Sequence, residues 1–130
     1  MTDFERSQDI DAAPEAVWRV VSDPDRLAEW LPTTTASRPA GHDAVELVGE
    51  SHGHDYDLQS GFVADDAARR LSWDSPRLSG YRGVLTVTGH GAGSRVTVRV
   101  VIPDVPPEAS AELARGLEET LDRIDQLVRA

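Results

Sequence analysis

The stretch from Ala13 to Pro32, APEAVWRVVSDPDRLAEWLP, constrains the fold more than any other, because it encodes two short helices with an enforced break between them. Pro14 suits a first helical turn, where its missing amide proton leaves no hydrogen bond unmade. Val17, Val20 and Val21 follow at helical spacing and form one apolar face, extended by Trp18. Asp23-Pro24 ends this helix, since proline disfavours helix at the residue before it. The same pair is expected to open a second helix, with Asp23 as its cap and Leu27, Trp30 and Leu31 as its apolar side.

The segments on either side alternate with a period of two, the signature of half-buried strands. Phe4, Arg6, Gln8 and Ile10 oppose Asp3, Glu5, Ser7 and Asp9, which makes a strand with one acidic, solvent-facing side. Thr33 to Arg38 is a short strand closed by a turn at Pro39-Ala-Gly41, and Val45 to Glu50 is the next, ending at a turn near Ser51-His-Gly53. His54 to Phe62 sets Tyr56, Leu58 and Phe62 on one face and Asp55, Asp57 and Gln59 on the other. Ala64 to Ala68 connects this strand to another at Arg70 to Asp74. Tyr81 to Thr88 and Arg95 to Ile102 form a hairpin through Gly89-His-Gly-Ala-Gly93. That glycine-rich loop joins two strands and opens no helix, so it is no phosphate-binding loop. After Asp104-Val-Pro-Pro107 the period becomes 3.6: Ala109, Leu113, Leu117, Leu121, Ile124 and Val128 share one side of a long helix. No repeat or linker interrupts the pattern, and residues 1–130 read as a single domain.

Composition removes several functions. The formal net charge is −10, with 23 acidic residues against 13 basic ones that are all arginine. Such a field repels polyanions, so neither nucleic acid nor an anionic membrane surface is an expected partner. Without lysine there is no side-chain Schiff base, and without cysteine there are no thiol nucleophiles, thiolate metal sites or disulfides. No run approaches the roughly 18 apolar residues of a membrane span, and no secretory leader opens the chain. A cytoplasmic location is expected.

The element order is strand, two short helices, about six antiparallel strands and one long amphipathic helix, an α+β arrangement. A sheet with one apolar face needs a cover, and the final helix is the only element long enough to provide it. One helix roughly 10–12 Å across cannot fill the concavity of a curved sheet of six to seven strands, so a cavity is expected between them. Pro14-Glu-Ala-Val-Trp18, Ser22-Asp-Pro24, Leu27 and Trp30 resemble the opening of the SRPBCC superfamily. That superfamily groups START-type lipid carriers, polyketide cyclases and aromatases, and plant pathogenesis-related allergens. The resemblance covers the whole chain and implies the helix-grip fold, a curved antiparallel sheet around a long C-terminal helix. It also implies a pocket for a small apolar molecule, entered near the short helices, and it carries no short catalytic motif and no cofactor.

Strand alternation supplies the pocket residues. Trp30, Tyr56, Leu58, Phe62, Trp73, Leu85, Leu113 and Leu117 are the expected ligand-binding set, with His54 included by parity. Trp18 is expected to fasten its helix to the sheet, Trp30 to stand at the cavity mouth and Trp73 to form a wall. Arg6, Gln8, His54 and Ser60 ride on the inward faces and need partners or water; Arg6 sits at a strand end or answers a ligand carboxylate. His52 and His54, with Glu50, have the spacing of a shared metal, but a solvated hairpin explains the same tract and no metal is assigned. His42 and His90 are placed in surface turns without partners.

Three functions are compatible with these residues. The first is binding of a small hydrophobic ligand, lipid or polyketide-like, by a monomer or homodimer. The second is a polyketide cyclase or dehydratase, as the resemblance suggests, with His54 and Tyr56 as an acid–base pair. The third is a protein-interaction module like the co-chaperone domains that stimulate Hsp90, docking through acidic faces and the long helix. The mainly aliphatic and aromatic inward set favours the first.

Overall fold

A computed structural model describes residues 2–51, 53–74, 80–103 and 106–129. Strand β1 (Thr2–Ile10) leads into helices α1 (Pro14–Val21) and α2 (Leu27–Trp30). Six strands follow: β2 (Thr34–Pro39), β3 (Ala44–Ser51), β4 (His54–Asp65), β5 (Arg70–Asp74), β6 (Arg82–His90) and β7 (Gly93–Ile102). Helix α3 (Pro107–Arg129) ends the fold. The strands form one antiparallel sheet in the order β1-β7-β6-β5-β4-β3-β2. Its edges are therefore β1 and β2, while β7, the last strand in sequence, lies inside. This is the helix-grip arrangement.

The corner between the first two helices is built differently from its sequence expectation. Helix α1 starts at Pro14 and buries Val17, Trp18, Val20 and Val21 as one face. It ends at Ser22, whose hydroxyl donates to the Trp18 carbonyl oxygen at 2.7 Å. Asp23 does not cap α2: its carboxylate accepts the Asp25 amide at 3.0 Å and closes a local turn. Helix α2 is thereby shortened to one turn, with Arg26 before it and Leu31 already extended. Trp18 fastens α1 to the sheet as expected, its indole N–H donating to Asp66 at 2.9 Å in the β4–β5 turn. The β6–β7 loop is also tighter than Gly89 to Gly93, since His90 pairs with Gly93 and leaves two residues between.

The core lies over the β1–β7–β6 part of the sheet. Val96, Val98, Leu85, Leu71 and Val87 meet Leu121 and Ile124 of α3 and Val17 and Val21 of α1 in one buried cluster. The principal neighbours of α3 are α1, α2 and β1, so the helix leans toward one edge of the sheet. The inward faces of β3, β4 and β5 are left for a smaller cover, and α2 is too short to fill the space.

The acidic side of β1 is not bare. Arg95 on β7 grips Asp9 at 2.8 Å, His90 stands 3.5 Å from the same carboxylate, and Arg99 pairs with Asp3. His90 thus has partners, and His42 has one in Asp43 at 3.1 Å. Hydrogen bonds from the two arginines hold the Asp3 and Asp9 carboxyls below the ordinary aspartate range. Carboxyl groups of lowered pKa stabilise the fold above their unfolded value, about 3.9, and lose that contribution as pH falls through the folded value. Carboxyl-carbon NMR titration is expected to give midpoints below about 3.9 for both residues. The accompanying change in stability is small and fades in high salt, because both pairs face solvent.

Candidate functional site

Two connected hollows open where α3 and α2 fail to cover the sheet. The first, about 300 Å³, lies over β3–β5 and is walled by Val45, Leu47, Tyr56, Leu58, Phe62 and Trp73, with Leu27 and Trp30 above. The second, about 610 Å³, lies between α3 and the sheet and is walled by Phe4, Val98, Val100, Leu113 and Leu117. Trp30, Leu31, Pro32, Thr33, Trp73 and Tyr81 border both, so the two are lobes of one cleft. Cavities of this size, mostly apolar with a few polar groups, are those that take small molecules.

Two glycines seat the aromatic walls. Trp73 pairs with Gly83 across β5 and β6, and Tyr56 pairs with Gly49 across β3 and β4. A Cβ on Gly83 would stand 2.0 Å from Trp73 Cε2, and one on Gly49 would stand 2.5 Å from the Tyr56 hydroxyl oxygen. Each ring therefore lies across the bare backbone of its neighbour, which holds it flat against the sheet and leaves the cleft open above it.

The polar groups of the walls are few and mostly engaged. The Tyr56 hydroxyl is hydrogen-bonded to the Thr33 and Thr34 hydroxyls at 3.0 and 2.9 Å. The Trp73 indole N–H donates to the Tyr81 hydroxyl oxygen at 3.2 Å. Burial pushes the Tyr81 phenol above its ordinary pKa, so it stays protonated. Ser60, 4% exposed, donates to the Asp74 carbonyl oxygen, and the Asp74 carboxylate accepts the Gly61 amide at 3.1 Å. Trp30 is the exception: it is 2% exposed and its indole nitrogen has no hydrogen-bond partner among the described residues.

The structure brings together most, but not all, of the residues singled out from sequence. Trp30, Tyr56, Leu58, Phe62 and Trp73 line the first lobe, and Leu113 and Leu117 line the second. Leu85 does not: it is fully buried between Leu71 and Val98 in the sheet register and fills the core. His54 does not either. It has the inward parity, but it is the first residue of β4 and stands exposed beyond the cleft, outside both walls. Arg6 and Gln8 are answered by α3, through Glu118 at 3.7 Å and Asp125 at 3.3 Å. His52, the other half of the His-Gly-His tract, lies outside the described residues, among which no cluster suited to a metal is present. Tyr81 and the loop Leu31-Pro-Thr33 were absent from the sequence set. Tyr81 has the same strand parity as Leu85 and Val87, which is the signal that would have found it.

The comparisons with known proteins agree with this geometry. A family described as "Polyketide cyclase / dehydrase and lipid transport" matches residues 1–129. The chain belongs to that family. No curated protein matches the sequence. Among solved structures, the chain is similar to a START superfamily protein from Mycobacterium smegmatis, with a TM-score of 0.80 at 13% identity over 98% of this chain and 97% of that one. It is also similar to the ZhuI aromatase/cyclase from Streptomyces sp. R1128, with a TM-score of 0.75 at 16% identity over 98% and 93% of the two chains. A Thermobifida fusca protein solved by NMR superposes with a TM-score of 0.71 at 25% identity, over 98% and 95%. At these identities the solved structures carry the fold alone, and it is the family match that bears out the resemblance read from the opening residues. No helix among the described residues is long and apolar enough to cross a membrane.

Proposed function

We propose that this chain binds a small, largely apolar molecule, lipid-like or polyketide-like, in the two-lobed cleft between the sheet, α2 and α3. The observation that carries this reading is the seating of Tyr56 and Trp73 on Gly49 and Gly83, which keeps an apolar hollow open where larger residues would close it. The family description, which joins cyclases with lipid transport, supports the same class of ligand. The interaction-module reading asks for a filled core and an exposed apolar patch. The cleft is instead hollow, and Val63 is the single large hydrophobic residue exposed among those described.

The cyclase reading shares the cleft and asks for an acid–base pair inside it. His54 stands outside the wall, and the Tyr56 hydroxyl is held by two threonines. His54→Ala is therefore expected to leave ligand affinity unchanged, and Tyr56→Phe to change it by no more than about threefold while costing about 1 kcal/mol of stability. Isothermal titration and urea unfolding check both. Loss of turnover of a defined substrate in His54→Ala would instead establish catalysis. The direct test of the binding function is native mass spectrometry of protein purified from its own host, with extraction and identification of any released molecule. A co-purifying apolar compound supports the proposal; a clean apo mass that does not shift with lipids or aromatic polyketides overturns it.

A further inference from the structure

Charge is sorted between the two lobes of the cleft, and the sorting bears on the ligand's headgroup, an inference that rests on the binding function proposed above. The charged side chain that the described residues place around the first lobe is Asp74, whose carboxylate accepts the Gly61 amide at 3.1 Å. The second lobe differs. Glu112, Arg115 and Glu119 border it from α3, spaced three and four residues apart and so along one stripe of the helix, and all three are exposed. Side chains that line a hollow and also reach solvent stand at its rim, whereas Leu113 and Leu117 are less exposed and line it more deeply. Two neighbouring arginines are already engaged: Arg123 donates to Glu119 at 2.8 Å, and Arg6 stands 3.7 Å from Glu118. Arg6, which had the strand parity to meet a ligand carboxylate, is thereby taken. Arg115 is the cation in the described walls of either lobe, and no described residue forms an ion pair or hydrogen bond with it.

We propose that Arg115 anchors the headgroup of a fatty-acid-type ligand, pairing with its single carboxylate at the rim of the second lobe while the aliphatic tail runs past Trp30 and Trp73 into the first. The planar guanidinium fork matches a carboxylate with two parallel hydrogen bonds. Glu112 and Glu119 on either side of Arg115, and a chain net charge of −10, limit the headgroup to one negative charge and disfavour a phosphate monoester. The orientation follows from the same charges. In the reverse pose the carboxylate would lie in the first lobe, stripped of water, beside Asp74 and without a cation to meet it. Trp30 and Trp73 border both lobes, so a flexible tail passes from one to the other along an aromatic wall.

Decanoate and decan-1-ol test the anchor, since they share a chain length and differ in headgroup charge at neutral pH. By isothermal titration, Arg115→Gln is expected to weaken decanoate about fivefold, the upper range for a solvent-exposed ion pair, and to leave decan-1-ol within about twofold of wild type. The substitution keeps a good helix former at an exposed position without a described partner, so the fold is not at stake. A second readout uses the wild type alone. In a ¹H–¹⁵N spectrum the Arg115 Nε–H resonance is expected to shift with decanoate and to stay in place with decan-1-ol. Intermolecular cross-peaks are expected to join the decanoate methyl group to the Phe62 ring in the first lobe, and the methylene beside its carboxylate to Leu113 in the second. Unchanged decanoate affinity in Arg115→Gln, or methyl cross-peaks to Leu113 in place of Phe62, overturns the anchor and leaves the binding function standing. Failure of decanoate and decan-1-ol alike to bind overturns the fatty-acid class, and the native mass spectrum described above then decides the binding function by itself.

Discussion

Replacing Gly83 with alanine is expected to lower stability by about 2–3 kcal/mol and to remove ligand binding, although it adds a single methyl group. The cause is geometric. The new Cβ would lie 2.0 Å from Trp73 Cε2 and 2.3 Å from both Cζ2 and Nε1, whereas carbon atoms in contact sit roughly 3.5–4.0 Å apart. Gly83 has no positive φ, so the backbone tolerates alanine and the whole cost falls on the indole. Trp73 must leave its seat, break its hydrogen bond to Tyr81 and swing into the cleft it borders. Urea unfolding measures the loss, and the near-UV circular dichroism of the displaced indole reports its cause. The double variant Gly83→Ala/Trp73→Ala separates the collision from any other effect: with the indole gone the alanine costs little, so the two substitutions are strongly non-additive. Additive losses would show that the ring does not rest on Gly83. At Gly49 the collision includes the Thr33 carbonyl oxygen, at 2.1 Å, so that position is expected to be still less tolerant.

These glycines show where sequence reading stops. Period-two alternation identified the inward faces of β4 and β7, and the 3.6-residue period identified the buried side of α3, because those signals are local. The cleft itself depends on which residue lies opposite which. That Gly83 faces Trp73, and Gly49 faces Tyr56, is a property of strand register, and each glycine in isolation reads only as a weak point in a strand. Parity also cannot tell depth. Leu85 and Leu58 are both inward, yet Leu85 lies under α1 and α3 in the filled half of the sheet and Leu58 under the hollow half. His54 has the parity of Tyr56 but lies two pairs further toward the start of β4, exposed and outside the cleft wall. The acidic side of β1 was legible, while its neutralisation was not, since Arg95 and Arg99 arrive from the other end of the chain. Trp30 could be placed at the cleft from the helical corner alone. That no described residue accepts from its indole nitrogen became visible only in the packed structure.

The substitution Leu58→Asp is expected to abolish binding of an apolar ligand at neutral pH, by more than about a hundredfold, while leaving the protein folded. Leu58 is half-buried on β4 opposite Leu47, so the change removes little of the core, which lies at the other side of the sheet. Bound ligand would strip water from the introduced carboxylate. Among the described residues the first lobe has no arginine or histidine in its wall to replace that water, and the charged residue they place there, Asp74, is also acidic. Desolvation and a like charge both raise a carboxyl pKa, so the introduced group titrates above the ordinary aspartate value of about 3.9. The sign follows from that direction. At neutral pH the variant carries a charge that both folding and binding disfavour; as pH falls through the raised value it takes up a proton and the penalty relaxes. Affinity relative to wild type is therefore expected to recover in acid, whereas Leu58→Asn, polar but without a titrating group, keeps a smaller and pH-independent deficit. A deficit in Leu58→Asp that does not change between neutral and mildly acid pH would mean that water still reaches residue 58 with ligand bound, and that the first lobe is not where the apolar molecule sits.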